Sequence, residues 1–289
     1  MALNYKLAAV MLIGLSILTF SATAQNRQSV SFTAGTQIEG DTPVNADFTL
    51  PANADSTKVP AVVVIHSSGG YEDTTRQAYV QALNKAGVAT LELNLFSRGN
   101  RPKTSRMNLA HTFGALNYLA QDSRIDPNRI GILGFSHGGM LAMFASSKEI
   151  NETYTGGKQK FAAHLALYPV CWAHLASIDG KNPIYPKSVY SALTGAPVHI
   201  LAGEKDAYDA PDSCQKFIDA LPENARPQVT LTMYPKATHG WDTTEDKNYY
   251  DPAANQGRGT HVQHWRTSSI ATQSLEFSQQ FFNNAFMRK

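Results

Sequence analysis

The run Val59–Ile65, Val-Pro-Ala-Val-Val-Val-Ile, is apolar throughout and rich in β-branched residues, and beyond His66 it is closed by Ser67-Ser68-Gly69-Gly70. An unbroken apolar strand of this kind is buried on both faces, as the strands of parallel sheets are. Two strand-like segments precede it, Ser29–Thr33 and Asn45–Leu50, and the second alternates loosely, as a half-solvated strand does. After it the period switches repeatedly. Helical spacing over Thr74–Ala86 stops at Gly87, and Val88–Phe96 reads as a strand. Arg106–Gln121 is predicted to be a helix with Leu109, Phe113, Leu116 and Leu119 on one side. Then come a strand at Ile130–Phe135, a helix at Gly139–Ser147, and strands at Phe161–Tyr168 and Pro197–Ala202. A helix at Pro211–Ala220 has proline in its first turn, where the missing N–H does no harm. A strand at Val229–Tyr234 and a last helix from Ser268 to Phe286 complete the pattern. Strands alternating with helices predict an α/β domain: a mostly parallel central sheet with helices on both faces. Only Asp242–Thr267, rich in Asn, Asp, Gly, Gln and Tyr, fits neither period, and it is expected to be a long irregular loop, of the kind that is functional or floppy.

The N-terminus follows another rule. Lys6 precedes the apolar stretch Leu7–Phe20, and Ala22-Thr23-Ala24 follows it. A basic start, a short apolar segment and a small-x-small site read as a secretory signal peptide. Fourteen positions are too few to span a bilayer, which takes about 20. Residues 1–24 are therefore expected to be a cleaved leader, and residues 25–289 a single domain in the periplasm or outside the cell, free of the membrane after cleavage. No cysteine lies near the cleavage site to carry a lipid. The two cysteines, Cys171 and Cys214, both belong to the mature part, and export to an oxidising compartment favours a bridge between them.

With 43% apolar and 17% charged residues, the 289-residue chain is of ordinary globular composition. Its formal charge of +2 is spread over mixed acidic and basic positions, without the Lys/Arg clusters of a nucleic-acid-binding surface. The histidines are scattered. His261 and His264 are close in sequence, but no third ligand is placed by spacing, so neither a metal nor an organic cofactor is expected.

Gly134-Phe135-Ser136-His137-Gly138 matches G-x-S-x-G, between a predicted strand and a predicted helix. That context places a serine on a sharp turn, where residues two positions to either side must lack bulk. A serine hydroxyl needs a base. His137 is not it, because adjacent residues on a tight turn project in different directions; its backbone N–H is the useful part, as an oxyanion donor. In this architecture the order along the chain is Ser, then Asp or Glu, then His. Past the strand at Pro197–Ala202 stands Gly203-Glu204-Lys205-Asp206, with Asp206 favoured over Glu204 and Asp209 by its distance from the strand. Past Val229–Tyr234 stands Thr238-His239-Gly240. Ser136, Asp206 and His239 are thus expected at the carboxyl ends of strands, where the sites of open α/β sheets lie. The second oxyanion donor is expected from the loop after Val59–Ile65: Ser68, with Ser67 and Gly69 as alternatives.

Together these segments resemble the dienelactone hydrolase family of α/β-hydrolases over roughly Val59 to Phe286. Gly134–Gly139 resembles the family's nucleophile elbow, Gly203–Asp206 its acid loop, and Thr238-His239-Gly240 its histidine loop. Asn94–Arg98 resembles the segment whose arginine binds the substrate carboxylate. The resemblance implies an α/β-hydrolase fold, and it marks Arg98 as a substrate contact; Tyr71 and Trp241 are further candidates. Three positions depart from the family. Ser136 stands where the family has cysteine, Ser67 where it has glutamate, and Trp241-Asp242-Thr243 where a second carboxylate-binding arginine follows the histidine. The expected activity is cleavage of small-molecule carboxylic esters through an acyl-enzyme, with no nucleic-acid partner; the oligomeric state stays open. A lactone, a peptide or a transferred acyl group on the same triad are the alternatives. A non-catalytic binding protein of the same fold would have no need of all three groups.

Overall fold

The computed structural model describes residues 26–36, 40–52, 54, 57–102, 106–182 and 185–287. The leader expected at 1–24 lies outside the described residues. Eight strands form one sheet: β1 (Asn26–Thr36), β2 (Gly40–Leu50), β3 (Val59–Ile65), β4 (Ala89–Asn94), β5 (Ile125–Phe135), β6 (Ala163–Leu167), β7 (Val198–Lys205) and β8 (Val229–Thr238). Their order is β1-β2-β4-β3-β5-β6-β7-β8. The pairs β1/β2 and β2/β4 are antiparallel, and every other pair is parallel.

The apolar run of β3 is divided between two layers. Ala61, Val63 and Ile65 face one core, with Leu109, Phe113 and Leu116 of α2 (Arg106–Gln121) and Leu141 and Phe144 of α3 (His137–Phe144). Val62 and Val64 face the other, with Tyr79, Val80 and Leu83 of α1 (Gln77–Lys85) and Phe282 and Phe286 near the chain's end. Alternate side chains of a strand point to opposite faces, so a strand covered on both sides must be apolar at consecutive positions.

Two helices were not expected from the sequence. In α4 (Lys148–Thr155), the Ser147 hydroxyl accepts from the Ile150 N–H at the start, and left-handed Gly156 closes the end. Helix α5 (Cys171–Ile178) follows Val170, which is itself left-handed at φ 58°. Helix α6 (Ser213–Ala220) begins two residues later than its proline suggested. The stretch 242–267 is not irregular: β9 (Lys247–Asp251) and β10 (Thr260–His264) pair antiparallel around the short turn α7 (Ala254–Gly257). Its strands are mostly polar and only Val262 is buried, so no apolar alternation betrays them. The chain ends in α8 (Ser268–Met287).

Cys171 and Cys214 are bridged, joining the first residue of α5 to the second of α6 across 43 positions of sequence. Closing a loop of that length stabilises by about 4 kcal/mol in the chain-entropy model. Replacing both cysteines by alanine is expected to lower the unfolding free energy by about that amount in urea denaturation; an unchanged midpoint would refute it.

Candidate active site

The site is built from strand ends. Ser136 follows β5 directly and adopts φ 50°, ψ −110°, a conformation that side chains rarely take. Its N–H donates to the Leu167 carbonyl of β6 at 2.9 Å, and its own carbonyl accepts the Met140 N–H of α3 at 2.9 Å. The flanking glycines are obligatory. A Cβ on Gly134 would lie 2.0 Å from the Gly138 carbonyl oxygen, and one on Gly138 would lie 2.3 Å from that of Ile65.

Asp206 and His239 converge because β7 and β8 are neighbours in register: past a bulge, Lys205 pairs with Thr238, and each is followed by the residue in question. His239 Nδ1 lies 2.7 Å from Asp206 Oδ2, and its Nε2 2.9 Å from Ser136 Oγ. A carboxylate can only accept, so Nδ1 carries the proton and the Nε2 lone pair faces the serine hydroxyl. The other oxygen of Asp206 accepts the Tyr208 N–H at 2.8 Å. The rival carboxylates are engaged elsewhere. Glu204 accepts the Lys236 N–H at 2.9 Å. Asp209 accepts the N–H groups of Cys171 and Trp172 at 2.7 and 2.8 Å, and burial beside Asp206 pushes its carboxyl well up.

The loop after β3 is pinned at several points. The Ser67 carbonyl accepts the Gly70 N–H at 3.2 Å and lies 2.7 Å from His66 Nδ1. His66 Nε2 accepts the Leu95 N–H at 3.2 Å, so Nδ1 carries the proton and donates to Ser67. The Gly69 N–H is used on the Ser67 hydroxyl, which in turn donates to Asp73 at 2.9 Å. In a trans peptide the C=O and N–H point in opposite directions. Holding the Ser67 carbonyl on one side therefore aims the Ser68 N–H to the other. Behind this loop, buried Arg76 pairs with Glu92 at 2.9 Å and donates to the carbonyls of Tyr71 and Asp73.

These groups border a cleft of about 380 Å³, lined among others by Ser68, Ser136, Tyr168 and His239. Arg98, Arg101 and Lys247 line it too, and none of the three is ion-paired within 4 Å among the described residues. Tyr249, Asp251 and His264 of the β9–β10 hairpin add a wall that sequence reading missed, for want of any pattern in that stretch.

Two residues, Trp241 and Tyr71, lie where the sequence did not suggest, while the His137 imidazole is, as expected, not the partner of Ser136. The Trp241 ring is fully buried, donates to Ser274 at 3.2 Å and packs on Tyr168 and Tyr234, so it supports the histidine loop from behind instead of meeting the cleft. Tyr71 is half-buried outside the cleft lining, with its hydroxyl on Asp47 at 2.5 Å and the Arg76 guanidinium over its ring at 4.1 Å. The His137 imidazole is buried against Asn108 at 2.9 Å.

A strand-to-helix serine turn with a histidine and an aspartate at adjacent strand ends, on a mostly parallel sheet, defines an α/β-hydrolase. The model of the dienelactone hydrolase family matches residues 45–266, and the chain belongs to that family, which makes it a hydrolase. Solved esterases share the fold. Est1E from Butyrivibrio proteoclasticus aligns with a TM-score of 0.62 at 16% identity, over 89% of this chain and 99% of its own. Thermogutta terrifontis esterase 2, phosphorylated by paraoxon, gives 0.61 at 17%, over 90% and 96%. The carboxylesterase EstE1 from a metagenomic library gives 0.58 at 14%, over 90% of each chain. No curated protein matches the sequence.

Burial holds the imidazoles around the site neutral: His66 is pushed down to about 4, and His137 and His264 to about 3. In the unfolded chain each titrates near 6.5. Below that pH the unfolded state takes up protons that the folded state refuses, so stability is full above about 6.5 and falls as the pH drops towards 4. Each group adds at most about 1.4 kcal/mol per pH unit to the slope. The melting temperature is expected to decline steadily from pH 6.5 to 4.5; a flat profile would contradict neutral burial.

Proposed function

We propose that the protein is a serine esterase, with Ser136 as nucleophile, His239 as general base and acid, and Asp206 as the group that orients the imidazole. The observation that carries this reading is the unbroken chain of contacts, 2.9 Å from Ser136 Oγ to His239 Nε2 and 2.7 Å from His239 Nδ1 to Asp206. Ser136 Oγ attacks the ester carbonyl while His239 takes its proton. The tetrahedral oxyanion is held by the backbone N–H groups of His137, at the first position of α3, and Ser68. His239 returns the proton to the leaving alcohol, and the acyl group stays on Ser136. Water then gives a proton to His239 and attacks the acyl carbon. The bond between the acyl carbon and Ser136 Oγ breaks, Oγ recovers the proton from His239 and the acid departs. Every step uses groups of the chain and water.

Of the cations lining the cleft, Arg76 is paired with Glu92, whereas Arg98, Arg101 and Lys247 have no ion-pair partner within 4 Å among the described residues. Beside the lining carboxylates Asp73 and Asp251, these three favour an ester or lactone whose acyl or alcohol part bears a negative charge. Arg98 and Arg101 come from the loop after β4, and Lys247 comes from β9. The disulfide suits an oxidising compartment, in line with export to the periplasm or beyond, and residues 25–289 are read as one domain. Among the described residues no helix is long and apolar enough to cross a membrane.

Ser136→Ala is expected to fold normally and to lose about 10⁴-fold or more in kcat on a short aryl ester; retained turnover would sink the assignment. For the charge reading, a half-ester bearing a free carboxylate is expected to show a lower KM than its neutral methyl ester. That advantage should shrink with added salt and on Lys247→Ala. Equal KM values at low salt would count against it.

A further inference from the structure

The proposed base packs against two phenol rings. Ring centroids of Tyr168 and Tyr208 lie 4.8 and 4.4 Å from that of His239. Each phenol is tethered through its hydroxyl to a carboxylate. Tyr168 donates to Asp242 at 2.7 Å, and Tyr208 donates to Asp251 at 2.6 Å. Asp242 is buried, and no cation pairs with it among the described residues; its second oxygen accepts the Tyr79 hydroxyl of α1 at 2.7 Å. A buried carboxylate held by neutral donors costs folding free energy, so it asks for a use. Tyr208 is fixed twice more: its N–H holds Asp206, and its carbonyl accepts the Gln256 N–H at 3.0 Å. The β9–β10 excursion thereby braces the acid loop and one side of the imidazole.

We propose that Tyr168 and Tyr208 are positioning residues for His239, locked by Asp242 and Asp251, and that they matter most in deacylation. This rests on the reading of His239 as base. In the free enzyme two hydrogen bonds define the imidazole plane, to Asp206 and to Ser136. Once Ser136 is acylated its oxygen has no proton to donate, and only the bond at Nδ1 remains. Rotation about that single bond turns Nε2 away from the attacking water. Two anchored rings packed on the imidazole oppose that rotation.

The test is pre-steady-state hydrolysis of an activated aryl ester by Tyr168→Phe and Tyr208→Phe, which keep the rings and remove the tethers. Deacylation is expected to slow about tenfold while acylation changes less than roughly threefold, so the burst persists and both kcat and KM fall. Asp242→Asn combined with Tyr168→Phe is expected to cost no more than the larger single effect, because both break one tether. Should Asp242→Asn fail to fold, the two phenylalanine variants carry the test. Tyr250→Phe, on the same hairpin but 60% exposed, should behave as wild type. Unchanged deacylation, or equal losses in both steps, would overturn the inference. A wild-type enzyme with no burst and no labelling of Ser136 by a fluorophosphonate would instead take down the triad reading itself.

Discussion

The geometry of the site depends on one strained turn. Ser136 is held at φ 50°, ψ −110°, a conformation that costs on the order of 1–3 kcal/mol and persists only where its surroundings over-determine it. Here they do. The turn is tied to β6 through Leu167 and into α3 through Met140, and glycines on both sides let α3 press on the end of β3. Those strands have no freedom to yield, because Val62, Val63 and Ile65 of β3 and Ile132 and Leu133 of β5 are fully buried between two layers of helices. The apolar runs that make the sheet are thus also what keeps the serine exposed to its partners.

With the serine fixed at the end of one parallel strand, its partners can come only from the ends of the others. The loop after β3 offers backbone donors, and the neighbouring ends of β7 and β8 bring a carboxylate and an imidazole together one residue past a paired position. The polar groups behind them are held by interactions of their own. Arg76 and Glu92 pair in the interior and anchor the Tyr71–Asp73 segment, and Asp209 caps the start of α5 close to the disulfide. In each case an ionisable side chain fixes main chain close to the site.

Ser136, Asp206 and His239 were legible because each stands just beyond an apolar run, and a parallel sheet makes the position of a strand's end predictable. The same signal could not tell which way a loop side chain turns. Trp241 and Tyr71 are large aromatics near the expected site, yet one lies under the histidine loop and the other is fastened to Asp47. Nor could it reveal β9 and β10. Lys247–Asp251 and Thr260–His264 show no sustained alternation and little apolar content, because their pairing is stabilised by main-chain hydrogen bonds and by docking of Val262 and Ala254 against Val170, Ala173 and Tyr208. That docking is long-range, and local sequence carries no trace of it. Helix α4 differs: Ser147 and Gly156 are its start and stop signals, legible to a search for caps.

The stretch after the histidine shows how a change of sign can be absorbed. The family resemblance puts a cation there, facing the substrate, and this chain has Trp241-Asp242-Thr243. An aspartate left pointing at the cleft would oppose the field of Arg98 and Arg101. Instead the segment turns inward, Asp242 takes hydroxyl donors from Tyr79 and Tyr168, and Trp241 fills the space behind. Burial pushes the Asp242 carboxyl up to about 6, against the hydroxyl donors that favour its charged form. The cleft still has a cation on that side, Lys247, supplied by β9.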